Sequence, residues 1–224
     1  MNEHIQTIAN KLDIALPDIK CPPVGQTSEE IINTLKIVKK LDPKVLLEIG
    51  SAYGGFVYLL STVLDDRQKR TIITIDPWFQ ATKYGGKYKD YLEITKKLSQ
   101  FYSHIGYFHI RGKSEAKRTI NDLVAIIKGR PIDFLFIDGA HTYKTVSSDW
   151  KNYKKYLTKD GLVAFHDIAG DTGAAKAWQE IIAKEKDKYL SLEFLKEGVP
   201  LLPFVKEPTT LGVGYLFKKF KPKN

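Results

Sequence analysis

Lys44-Val45-Leu46-Leu47-Glu48-Ile49-Gly50-Ser51-Ala52-Tyr53-Gly54-Gly55-Phe56 is the stretch on which the architecture turns. A short apolar run ended by glycine reads as a strand buried on both faces, because only a covered parallel sheet tolerates continuous apolar residues. From there the pattern alternates. Helix is expected over 54–64, 88–102, 114–127, 143–157 and 174–188, and strand over 71–75, 107–110, 132–137 and 162–165. Parallel strands need crossovers, and crossover helices cover both sheet faces, so the expectation is a doubly wound α/β sheet. The end differs. Residues 190–195 and 213–217 read as strands with no helix between them, which predicts an antiparallel terminal pair in a seven-stranded sheet.

Upstream, Thr27-Ser28-Glu29-Glu30 offers a helix cap with acids in the first turn, and Ile31, Leu35 and Val38 follow at helical spacing. Pro17 to Gln26, with Cys21-Pro22-Pro23-Val24-Gly25, reads as a linker. The expected organisation is therefore an N-terminal arm and linker over 1–26 and one domain over 27–224. Two roles are open for the arm: covering the site, or pairing with a second copy in a homo-oligomer.

The chain has 224 residues, 43% hydrophobic and 27% charged, values that exclude a disordered or collagen-like chain. Apolar runs such as Val45–Leu47 and Phe134–Ile137 fall far short of the ~18–20 residues of a membrane-spanning helix. The N-terminus lacks a continuous apolar segment, which points to a cytoplasmic protein. Cys21 is the single cysteine, so an intrachain disulfide and a cysteine metal cluster are excluded. The net charge of +9 admits an anionic partner such as nucleic acid, but the basic residues sit mainly in pairs typical of solvated helix faces.

In an open α/β sheet, ligands bind beyond the carboxyl ends of the strands. After the first strand, Gly50 permits a tight turn and Gly54-Gly55 a close backbone approach to a ligand, while Glu48 suits a cationic amino-acid moiety better than a diphosphate. The alternative is a plain strand–glycine–helix corner. Asp76 ends the second strand, with paired acceptors for ribose hydroxyls, and Trp78 offers a face to a purine; a helix cap and core packing are the alternatives. Ser114 suits either a helix cap or an adenine contact.

The fourth and fifth strands end in Asp138-Gly139-Ala140-His141-Thr142-Tyr143 and His166-Asp167-Ile168. Neighbouring strands lie about 4.8 Å apart, so Asp138 and Asp167 are candidates to hold one Mg²⁺ or Mn²⁺. His166 joins them only if the chain bends, and Asp167 is the favoured ligand. His141 titrates near neutrality and is the candidate base, with a buried structural histidine as the alternative. Residues 79–90, with Tyr84, Gly85, Gly86 and Tyr88, suggest an aromatic flap, and Gly198–Pro208 the opposite wall.

Taken in order, these motifs resemble a class I S-adenosylmethionine-dependent methyltransferase, of the family with an Ile-Asp-Gly-x-His-Thr-Tyr signature, here Ile137–Tyr143. The resemblance runs from about Val45 to Trp178, and in plan is similar to catechol and metal-dependent sugar O-methyltransferases. It implies that Glu48, Gly50, Ser51 and Gly54 hold the methionine end of the cofactor, Asp76 the ribose and Ser114 the adenine. It places Asp138 and Asp167 at a Mg²⁺ site and His141 where the catechol enzyme has a lysine base. His166-Asp167 stands where those relatives carry paired acids or Asp-Asn. The implied acceptor is a small molecule or saccharide. The rival expectations are a nucleic-acid methyltransferase, which lacks here its Asp/Asn-Pro-Pro-aromatic segment, and a cofactor-binding protein without turnover.

Overall fold

The computed structural model describes residues 3–78, 86–202 and 205–219. Helix α1 (Glu3–Leu12) is followed by α2 (Ser28–Leu41), β1 (Val45–Ile49), α3 (Gly55–Val63), β2 (Arg70–Asp76), α4 (Tyr88–Phe101) and β3 (Ile105–Arg111). Then come α5 (Lys117–Ile127), β4 (Ile132–Ile137), α6 (Tyr143–Tyr153), β5 (Leu157–His166), α7 (Gly173–Glu185), β6 (Tyr189–Phe194) and β7 (Val213–Lys218). The sheet order is β3-β2-β1-β4-β5-β7-β6. The first five strands are parallel; β7 runs antiparallel between β5 and β6, as the missing crossover helix requires. Strand order reverses beside β1, so the ends of β1 and β4 flank the crevice where such sheets take ligands.

Period-two alternation divides the core between two faces. Leu46, Phe134, Phe136 and Tyr215 join α1, α2, α3 and α4 on one side. Leu47, Ile49, Leu135 and Ile137 join α5, α6 and α7 on the other. Both β1 and β2 are buried along their whole length, which suits the apolar run of β1 and the isoleucines of β2.

Several boundaries differ from the sequence expectation, three of them informatively. β5 begins at Leu157 rather than 162, and its register with β4 shifts between Ile132 and Phe134 because Thr158-Lys159-Asp160-Gly161 is a polar irregularity within the strand. The sixth helix stops at Tyr153 and tightens into a 3₁₀ turn over Lys154–Tyr156. α5 starts at Lys117, so Ser114 caps no helix.

The N-terminal segment packs on the rest of its own chain. Ile5, Ile8, Ala9 and Leu12 are buried, and Val24 N–H donates to Leu201 O at 3.2 Å. Leu201 N–H donates in turn to Gln26 O at 3.1 Å, and Thr27 bridges Pro200. Residues 24–27 and 198–201 thus run together, and Gln26 brings them beside the crevice. The capping box expected at α2 is present, with Thr27 and Glu30 bonded reciprocally. Among the described residues no helix is long and apolar enough to cross a membrane.

Candidate active site

The glycine corner after β1 is shaped mainly by the protein's own atoms. Gly50 has φ +95°, and a Cβ there would lie 2.0 Å from Asp138 O. A Cβ on Gly55 would lie 2.4 Å from Pro23 O, and one on Gly54 3.0 Å from the Tyr91 ring. The close approaches expected from a ligand at Gly54-Gly55 are therefore made by the N-terminal segment and α4. Gly86 also returns onto this loop, where a Cβ would lie 2.3 Å from Ala52 O. The rest of the expected flap, 79–85, lies outside the described residues, as do residues 203–204 of the expected opposite wall.

Glu48 is buried at the end of β1, and its Oε2 has no hydrogen-bond partner. Burial, with the charges of Asp138 and Asp76 added, pushes its carboxyl well above the usual range, against a smaller opposing effect of Ser51. Ser51 Oγ is likewise buried without a partner. Asp76 accepts Ala52 N–H at 2.9 Å and Trp78 N–H at 2.6 Å, so it organises the corner as well as facing it. Burial raises its pKa and these backbone donors oppose the rise. Trp78 donates Nε1–H to Ala52 O at 3.0 Å, and its ring packs 4.8 Å from Tyr88 and 4.9 Å from Tyr91. The indole, expected to offer a face to a purine, is buried against these two rings. Ser114 O accepts the Tyr153 hydroxyl at 2.6 Å. Beside Ser114, burial pushes the Asp149 carboxyl up to about 7, with Ser114 opposing, and its Oδ1 is unpartnered.

At the ends of β4 and β5 the titratable groups converge. Asp167 has φ 58°, a left-handed residue that turns the chain just past the strand. This is the bend that lets His166 and Asp167 face one place: His166 Nδ1 lies 3.0 Å from Asp138 Oδ1 and 3.5 Å from Asp167 Oδ1. His141 Nδ1 lies 2.6 Å from Asp167 Oδ2, and its Nε2 lies 3.9 Å from Asp138 Oδ1. Ligand atoms of Asp138, His141 and Asp167 all fall within 4.8 Å of one another.

Burial favours neutral forms here, and the partners decide the outcome. For His141, burial acts downward but the Asp167 hydrogen bond and the two carboxylate charges outweigh it, and the pKa rises. For His166 burial again acts downward, and Asp138, Asp167 and Glu30 carry it well above the ordinary value. Asp167 is held low by the two imidazoles despite its burial, whereas burial wins at Asp138 and raises it.

Two residues of this cluster escaped the sequence reading. Gln26 donates Nε2–H to Asp138 Oδ2, and its own Oε1 is buried without a partner. Glu30 Oε2 lies 3.5 Å from His166 Nε2. The capping-box spacing marked Glu30 as a helix-start residue, but nothing local links it to a residue 136 positions on. Just past Asp167 a cleft opens, lined by Ile168, Gly170, Lys176, Gln179, Glu193 and Thr210 among others.

A family model described as a methyltransferase domain matches residues 47–168. The uncharacterized protein R132 of Acanthamoeba polyphaga mimivirus is 30% identical over 137 residues, covering 61% of this chain. The match spans 57% of that relative's length. Among solved structures, an O-methyltransferase from Bacillus cereus in complex with S-adenosylhomocysteine is similar at TM-score 0.59 and 15% identity, covering 96% of this chain and 89% of that one. The O-methyltransferase TomG from Streptomyces achromogenes, in complex with S-adenosylmethionine, is similar at TM-score 0.59 and 12% identity over 98% of this chain and 91% of its own. At these identities the two structures establish the shared fold.

Proposed function

The chain belongs to the methyltransferase-domain family, and on that premise we propose that it transfers a methyl group from S-adenosylmethionine to a hydroxyl oxygen of a small molecule or saccharide. The unpartnered polar atoms support the choice of cofactor. Glu48 Oε2, buried without a partner, with the Ser51 hydroxyl beside it, awaits an amino-acid group at the β1 corner. An ammonium arriving there restores the ionised Glu48 that burial disfavours. Asp76, already bonded through both oxygens to backbone N–H groups, keeps further lone pairs for ribose hydroxyls.

The cofactor supplies a methyl group on positively charged sulfur, already activated for displacement. The protein's tasks are alignment, worth ~7–11 kcal/mol in well-oriented reactions, and removal of one hydroxyl proton. The observation that carries the reading is the His141–Asp167 pair. Asp167 accepts Nδ1–H, which fixes the tautomer and leaves the Nε2 lone pair to take the proton. His141 is half exposed, within reach of an acceptor entering from solvent, and Lys176, Gln179, Glu193 and Thr210 give the adjoining cleft polar edges suited to a hydroxyl-rich molecule.

A second reading rests on the ligand atoms gathered from Asp138, His141 and Asp167. Two carboxylates and an imidazole suit Mg²⁺ or Mn²⁺, which would supply charge to lower the pKa of the acceptor hydroxyl. In that case His141 is a ligand and cannot also be the base.

Purified protein is incubated with S-adenosylmethionine and a panel of catechols and saccharides, with and without EDTA, and S-adenosylhomocysteine is measured. The expected result is turnover that survives EDTA. His141→Ala slows it by about 10²–10⁴-fold with cofactor affinity unchanged. Equal losses of turnover and affinity reject the base role, abolition by EDTA selects the second reading, and cofactor binding without turnover across the panel favours a binding protein.

A further inference from the structure

Glu30 lies in the first turn of α2, outside the family-matched region, and is fully buried. Its carboxylate gathers its local cap partner and groups from two distant parts of the chain. Oε2 accepts Thr27 N–H at 2.8 Å, Oε1 accepts Gly212 N–H at 2.7 Å, and Oε2 lies 3.5 Å from His166 Nε2. On the other side of the His166 ring, Nδ1 lies 3.0 Å from Asp138 Oδ1. Asp138 in turn accepts the Gln26 amide on its second oxygen.

The capping box accounts for the Thr27 bond alone. A cap needs neither a histidine nor the backbone of Gly212, and caps are ordinarily solvated, whereas this one is sealed. A buried carboxylate requires a full set of donors, so each donor here is constrained by Glu30 as much as Glu30 is by them. An imidazole with one carboxylate at hydrogen-bond distance from Nε2 and another in ion-pair contact with Nδ1, outside hydrogen-bond geometry, has a restricted ring orientation, and the group beyond it inherits that restriction, as outer partners of site ligands do.

We infer that Glu30 is a positioning residue: by holding Nε2 of His166 it aims Nδ1 at Asp138, and so fixes the Asp138 carboxylate beside His141. The placement of the ring does not depend on the chemistry. Its use, to keep the acceptor-side carboxylate in register with the base, rests on the methyl-transfer reading above.

The test is nuclear magnetic resonance of protein labelled with ¹⁵N in its histidine and glutamine side chains. In the wild type, a ring Nε2–H proton protected from solvent exchange is expected for His166, assigned by its loss in His166→Gln. Glu30→Gln moves or abolishes that signal and also shifts the Gln26 side-chain amide, because Asp138 relaxes between them. Thr34→Val, one turn along the same helix, removes the Thr34 bonds to Glu30 O and the Tyr215 hydroxyl but none to the Glu30 carboxylate, and leaves both signals in place. A folded Glu30→Gln with His166 and Gln26 signals as in the wild type overturns the inference. Should Glu30→Gln fail to fold, the wild type decides: a protected Nε2–H supports the inference, and its absence overturns it. Binding of S-adenosylhomocysteine to the wild type, measured alongside, bears on the methyl-transfer reading alone, so failure of either is recognised separately.

Discussion

Substituting Gly50 by alanine tests how the glycine corner and the reaction centre are joined. A Cβ on Gly50 would lie 2.0 Å from Asp138 O and 2.7 Å from Gly139 Cα, against 3.4 Å for ordinary contact, so the turn after β4 must retreat by about 1.4 Å. The φ of +95° adds backbone strain of about 1–2 kcal/mol for a residue with a Cβ. Overpacking adds about 1–3 kcal/mol, for a total of about 2–5 kcal/mol. For a domain of this size that lowers Tm by roughly 4–20 °C. The displaced atoms belong to Asp138 itself, so turnover should fall as well, by about 10²-fold for a misplacement near 1 Å. Gly129→Ala is the control, because Gly129 also has positive φ, +78°, but its Cβ would meet nothing within 4 Å. Thermal unfolding and methyl-transfer assays of both variants separate contact from strain. If Gly50→Ala melts and turns over like Gly129→Ala, the reasoning is wrong.

Other consequences follow from the charged groups. With His141 as base, activity requires the neutral ring, so turnover should rise with pH through a midpoint above the ordinary histidine value of about 6.5. Asp167→Asn removes the charge that favours the imidazolium, so the acidic limb moves to lower pH while maximal turnover also falls; a pH–rate profile with an unmoved limb contradicts the assignment. Arg70, its side chain fully buried, bonds Pro43 O at 3.1 Å and Leu64 O at 3.2 Å and pairs with Asp42 and Asp66. Arg70→Met should cost about 2–4 kcal/mol in urea unfolding at pH 7, below the value for wholly buried pairs because both carboxylates are half exposed. Arg70 holds Asp66 below the usual carboxylate range, and Lys44 and Arg70 do so for Asp42. Their contribution is present above the unfolded pKa of about 3.9 and is lost as pH falls through the lower folded values, so the wild-type advantage should shrink in acid. A difference independent of pH argues against this.

The sheet was readable because β1 and β4 are short runs buried on both faces, and because the missing crossover helix before β7 leaves only antiparallel pairing. The start of β5 was hidden by Thr158 to Gly161, whose polarity resembles a turn although β5 continues through it. At the site, Asp138, His141 and Asp167 could be named from their positions at strand ends. Their convergence depends on the left-handed conformation of Asp167, which no local signal announces in an aspartate followed by isoleucine. Gln26 and Glu30 were invisible for another reason. Each has an adequate local explanation, a linker end and a helix cap, and their contacts with Asp138 and His166 arise only when α2 packs across the sheet. Trp78 shows the converse, an aromatic side chain next to a binding corner, buried in tilted contact with Tyr88 and Tyr91.

A crystal structure of the protein soaked with S-adenosylhomocysteine tests the central claim most directly. The account predicts the amino group of the ligand on Glu48 and Ser51, its ribose on Asp76, and its sulfur turned toward Asp138 and His141. Electron density for the ligand elsewhere, with Pro23, Tyr91 and Gly86 still closing the corner around Gly50–Gly55, would contradict it.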